Sequence, residues 1–167
     1  MKTSDRFKYQ RGSIMPIALV LLLLLTMIGI AATMTSEVEI RIAGNELTYK
    51  KNLYFAEGAA MTGVQMLQNE TDTSVLKDLS LNWLHSSLPD ANITSTVNWD
   101  LDNNNANQAL ADGGGYTGYL AVYQGIAPGG SLDIGGTTTS LHNYTVYGRS
   151  ARNKGEAIIE LGYKRRF

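Results

Sequence analysis

Few side chains in this chain could bind an ion or react, and the most suggestive of them lie close together. Asp100, Asp102 and Asn104 place oxygen ligands at alternate positions, with Asn105 and Asn107 following, as in a calcium-binding loop. An EF-hand loop requires Gly at its sixth position and Glu at its twelfth. Here those positions hold Asn105 and Ala111, with Asp112 one residue late. An Asx-rich turn capping its own backbone accounts for the same residues and is the preferred reading. Asp100, Asp102 and Asn104 therefore remain metal candidates on spacing alone, and no metal is assigned. The chain has no cysteine, which excludes a thiol nucleophile, and two histidines are too few for a His/Cys zinc cluster. His85 and His142 each stand among polar neighbours and are expected to be solvated. Glu37 and Glu39 lie two apart on a predicted helix and do not face each other. Gly113, Gly114 and Gly115 lack the strand-to-helix context of a phosphate cradle. The residues yield no catalytic constellation and imply no cofactor, so an enzyme is not expected.

The elements carry more information than these side chains. Residues 13–36 contain no charge. As a helix they extend ~36 Å, enough for a bilayer core of ~30 Å. Ahead of them, residues 1–12 carry Lys2, Arg6, Lys8 and Arg11 against Asp5 alone. The positive-inside rule puts this basic end in the cytoplasm and the rest of the chain across the membrane. The apolar run is longer than the ~7–15-residue core of a secretory signal, and Ala31-Ala32-Thr33 is a poor cleavage site, so retention as an anchor is expected. The formal charge of −1 includes this basic leader, so the remainder is acidic overall and offers no footprint for nucleic acid.

Helical character continues past the anchor. Ile42, Tyr49, Leu53, Ala56, Ala60, Val64 and Leu67 recur at steps of three, four and seven, forming one apolar stripe. Gly44, Gly58 and Gly63 each cost the helix up to ~1 kcal/mol relative to Ala but permit close approach of another backbone. Anchor and continuation read as one helix of about 55 residues, apolar all round at first and one-sided afterwards. The expected organisation is a leader (1–12), a membrane helix (13–36), an amphipathic continuation (37–68) and an extracytoplasmic domain (69–167).

In that domain residues 74–88 read as a short amphipathic helix ended by Pro89. Residues 93–99 alternate like a strand and residues 116–123 read as a second. The runs 142–151 and 156–163, joined by Arg152-Asn153-Lys154-Gly155, form the clearest hairpin. Residues 125–139 are rich in Gly, Pro, Ser and Thr and read as a surface loop. The nine tyrosines suit strands and a protein-contact surface. The fold class is α+β: a long N-terminal helix packed on a small antiparallel sheet.

The order of these parts resembles type IV prepilins, and more narrowly the PilX-type minor pilins. The matching residues are Gln10-Arg11-Gly12, the apolar run, Glu39-Ile40-Arg41-Ile42-Ala43-Gly44-Asn45 and Tyr54-Phe55-Ala56-Glu57-Gly58-Ala59, spanning roughly residues 10–65. The resemblance implies cleavage by prepilin peptidase between Gly12 and Ser13, with N-methylation of Ser13. Pro16 then falls in the first turn of the mature helix, where its missing N–H costs little. Most pilins carry Glu at the fifth mature position, where it neutralises a neighbour's amino terminus; this chain has Ile17. A charge in hydrocarbon is costly unless paired, so a subunit lacking that carboxylate suits the filament end better than the shaft. Pro16, Ile17, Ile42, Tyr49 and Leu53 are the residues expected to serve helix assembly.

The implied function is a minor pilin that initiates assembly at the pilus tip, a single-pass inner-membrane protein with its domain in the periplasm before assembly. The implied partners are major and minor pilins, prepilin peptidase, the inner-membrane assembly machinery and a tip adhesin. A tip pseudopilin of a type II secretion system and a signal-anchored ligand-binding ectodomain are the alternatives.

Overall fold

The computed structural model describes residues 14–101, 105–109, 116–128 and 140–167. The leader, Gly12, Ser13, Asp102, Asn104 and the loop segment 129–139 lie outside them. Helix α1 runs Ile14–Asn69. After it come α2 (Thr73–Lys77), β1 (Leu84–His85), a 3-10 turn (Thr96–Trp99), β2 (Asn107–Gln108), β3 (Tyr116–Ile126), β4 (Leu141–Arg152) and β5 (Gly155–Arg166). The chain falls into two units, Met1–Asn45 and Glu46–Phe167. In the first, every described residue is an exposed part of α1. In the second, the rest of α1 lies on a mostly antiparallel sheet, an α+β arrangement.

The sheet order is β1-β3-β4-β5, with β2 also paired to β3. β3, β4 and β5 form an antiparallel meander, while β1 lies parallel to β3 with Leu84 opposite Ala121. The β4–β5 turn consists of Asn153 and Lys154, with φ of 49° and 63°. Positive φ at both central residues is the type I′ geometry whose twist matches a two-residue hairpin. β3 extends beyond the predicted 116–123, and its register slips between Tyr123 and Gly125, where Gly125 takes φ +92°.

Both faces of the sheet are covered. On one face Ala59 and Leu67 of α1 meet Tyr119, Ala121, Tyr144 and Val146, joined by Leu76, Trp83 and Leu84. On the other, Trp99 and Ala106 cover Leu120 and Val122, with Leu88, Ile93, Tyr116 and Ile158 around them. The amphipathic stripe accounts for only the first of these cores.

Two predicted elements are corrected. The helix expected over 74–88 stops at Lys77. Asp72 caps its start through Ser74 N–H (2.9 Å), and Leu79 closes its end at φ 51°, with Ser80 N–H donating to Val75 O (3.2 Å). The chain then extends, because Leu81, Trp83 and Leu84 gain more by entering the core beside β3, where Ala121 N–H also donates to Trp83 O (2.7 Å). The strand expected over 93–99 is instead a set of turns ending in the 3-10 turn. Asn98, fully buried, is the reason. Its Oδ1 accepts from Asp90 N–H (2.7 Å), and its Nδ2 donates to the carbonyls of Asp90 (3.0 Å) and Asn92 (2.8 Å). A side chain that replaces ladder bonds in this way coils the backbone that an alternating pattern would extend.

Candidate functional site: the apolar faces of the long helix

From Glu46 onward α1 shows two different faces. The face on the sheet is built from small residues, with Ala56, Ala59 and Ala60 fully buried and Gly63 and Leu67 beside them. It sits so close that a Cβ on Gly148 would strike Ala56 O and Ala60 N, and one on Gly63 would reach Val146 Cγ1 at 2.8 Å. Glycine is required at both positions because the helix backbone presses onto the strands. The expected close approach is thus realised at Gly63, by the sheet itself.

Polar contacts bracket this docked face. Asn52, 1% exposed, donates Nδ2–H to Arg152 O (3.1 Å) and accepts from Ser150 Oγ–H (3.0 Å). At the other end Arg165 donates to Leu67 O and to Glu70 O (2.6 Å). A helix leaves its last carbonyls unpaired, and α1 has no basic residue of its own in its last turn. Arg165 supplies the missing donors from the last strand.

The opposite face carries Leu47, Tyr54 and Met61 at steps of seven, 55, 68 and 55% exposed. Steps of seven bring side chains back to one line along a helix. Gly58 lies beside them, and a Cβ there would meet nothing within 4 Å. The Glu46–Lys50 pair (2.6 Å) runs along the flank; each group strengthens the other's charge, lowering the Glu46 pKa and raising that of Lys50. The sequence reading followed a single stripe and missed this one, although the spacing of 47, 54 and 61 was visible.

The predicted assembly residues are distributed along α1. Pro16 occupies its first turn and Ile17 follows, exposed. Ile42 and Tyr49 are exposed, and only Leu53 of the three predicted contacts is partly covered by the domain. Within Ile14–Asn69 lies a stretch long and apolar enough to cross a membrane.

The groups that could do chemistry have structural surroundings. His142 is 6% exposed, which corrects the expectation of a solvated ring. It stacks on Phe167 (4.0 Å, 6°) and its Nδ1 meets the Tyr123 hydroxyl (2.8 Å). Two buried hydroxyls without partners, Tyr116 and Tyr144, are pushed by burial to pKa values of about 12, too high to release a proton at neutral pH. Among the described residues no three His, Cys, Asp or Glu side chains gather as a metal site. Of the calcium candidates only Asp100 is described; its carbonyl accepts from Asn105 N–H (2.9 Å), and Asn105 Nδ2 donates to Val97 O (2.8 Å).

The PilX N-terminal family model matches residues 11–60. The N-terminal part of the chain is similar to that of PilX-type pilins. The match spans the apolar run and the docked helix through Ala60, and ends before the sheet begins. No curated protein and no solved structure matches the chain. The matched segment is similar to the N-terminal part of PilX-type pilins, structural components of type IV pili.

Proposed function

We propose that this PilX-type chain is a minor pilin that primes assembly of a type IV pilus and occupies its tip. The observation that carries the proposal is the second apolar face of α1. Leu47, Tyr54 and Met61 point away from the chain's own sheet, well beyond the charge-free run, so lipid cannot be what covers them. A neighbouring helix of the same apolar character can, and Gly58 gives it room to approach. In this reading prepilin peptidase cleaves between Gly12 and Ser13, Ser13 is methylated, and the freed helix exchanges lipid contacts for those of sibling pilins. Pro16, Ile17, Ile42, Tyr49 and Leu53 serve that packing. Ile17, in place of a carboxylate, favours the end of the filament. Inner-membrane assembly proteins, companion minor pilins and a tip adhesin are the partners.

Mass spectrometry of sheared pili tests this. The expected result is a peptide beginning at methylated Ser13, scarce relative to the shaft pilin. An intact Met1 terminus in membranes, with none of the chain in the pilus fraction, would refute the proposal.

A further inference from the structure

A cavity of about 500 Å3 opens on the far side of the domain from β4 and β5, between the segment leading into β1 and the segment around β2. Leu81, Asn82 and Trp83 form one wall, and Leu101, Asn107 and Gln108 the other. The volume is in the ~300–1,000 Å3 range of small-molecule sites. Among the described residues no charged side chain lines it.

Two of its polar groups are held in place. The Trp83 ring is 7% exposed and packs edge-on against Tyr119 (5.1 Å, 73°). The indole N–H of Trp99 donates to Ile93 O (2.7 Å), whereas that of Trp83 has no acceptor among the described residues. That N–H is left available to donate to water or to a ligand. Asn107 donates Nδ2–H to the Tyr119 hydroxyl (3.0 Å), and Tyr119 is itself 1% exposed. That bond orients the amide and leaves Oδ1 as an acceptor.

We propose that this cavity binds a neutral, hydroxyl-bearing ring of the sugar class. A hydroxyl both donates and accepts, as do the amides of Asn82, Asn107 and Gln108, and the Trp83 N–H adds a fixed donor. Leu81 and Leu101 cover the apolar C–H face of such a ring. An ionic ligand would lose its hydration with no opposite charge among the described lining residues to replace it. This inference does not depend on the pilus reading, because neither the anchor nor the outward face of α1 contributes to the cavity.

The test uses the full chain in a sugar-free detergent. Trp99→Phe leaves Trp83 as the only indole, and its fluorescence is titrated with neutral hexoses, N-acetylhexosamines, glucuronate and a capped dipeptide amide. Saturation-transfer NMR on the unsubstituted chain provides a readout should Trp99→Phe fail to fold. Saturable binding of a neutral sugar at millimolar concentration is expected, weakened about tenfold by Asn82→Ala or Gln108→Ala with the melting temperature unchanged. Three results would each overturn the proposal: no saturable response, equal response to glucuronate or to the dipeptide amide, or undiminished binding in both variants.

Discussion

At His142 the imidazole lies between the Phe167 and Tyr123 rings, with Lys77 Nζ 5.6 Å and Arg165 Cζ 5.7 Å from the Phe167 centroid. Burial first, and then the Lys77 charge, lower its pKa. The sign follows directly. Above the unfolded value of about 6.5 the ring is neutral in both states and contributes no pH dependence. As pH falls below that value the unfolded chain takes up the proton more readily, so stability declines. His142 should therefore lower the melting temperature of the full chain on acidification below about pH 6.5, and His142→Phe should flatten that part of the acidic limb. An unchanged acidic slope in that variant would remove His142 from the account. Gly148 makes a simpler case. Its Cβ would enter the backbone of α1, so Gly148→Ala should cost about 1–3 kcal/mol, read as a lowered melting temperature.

As an element, α1 must satisfy two surroundings at once. Its docked face is small because strands come to it, and its outward face is large and apolar because nothing in its own chain covers it. These faces predict separable phenotypes. Tyr54→Glu puts a charge on the outward line and touches no core residue, so domain stability should stay within about 0.5 kcal/mol while recovery in sheared pili falls sharply. Equal recovery of Tyr54→Glu and the unsubstituted chain would mean that the outward face packs against nothing. The ends of the docked segment are pinned by residues distant in sequence: Asn52 to Ser150 and Arg152, and Arg165 to Leu67 and Glu70.

Across the whole molecule, stability comes without a disulfide, from two cores on either face of one sheet and from those long-range polar ties. The membrane-capable part follows a different rule: its apolar side chains are exposed in the isolated chain and need lipid or other helices. On the proposed reading, Ile17 sets where in a filament such a subunit fits. With cleavage after Gly12, Ile17→Glu places a carboxylate at the fifth mature position, where it can pair with a neighbour's amino terminus. Its expected effect is more copies per pilus, distributed along the shaft, as counted by immunogold labelling. Unchanged copy number and position would argue against the tip assignment.

The anchor, the helical continuation and the β4–β5 hairpin were legible in the residues, because each rests on local rules: a charge-free run, a 3.6-residue period, a two-residue turn. The resemblance to the PilX N-terminal family was legible for the same reason, lying in one contiguous stretch. Local pattern misled at 74–88 and 93–99, where burial of Trp83 and Leu84 and the bonds of Asn98 outweighed it. Only the tertiary structure decided that the sheet has a second core, that His142 is buried, and that Leu47, Tyr54 and Met61 face away from the domain. Each depends on what stands opposite a side chain, and the partners are brought there by pairings such as Asn52 with Ser150, far apart along the chain.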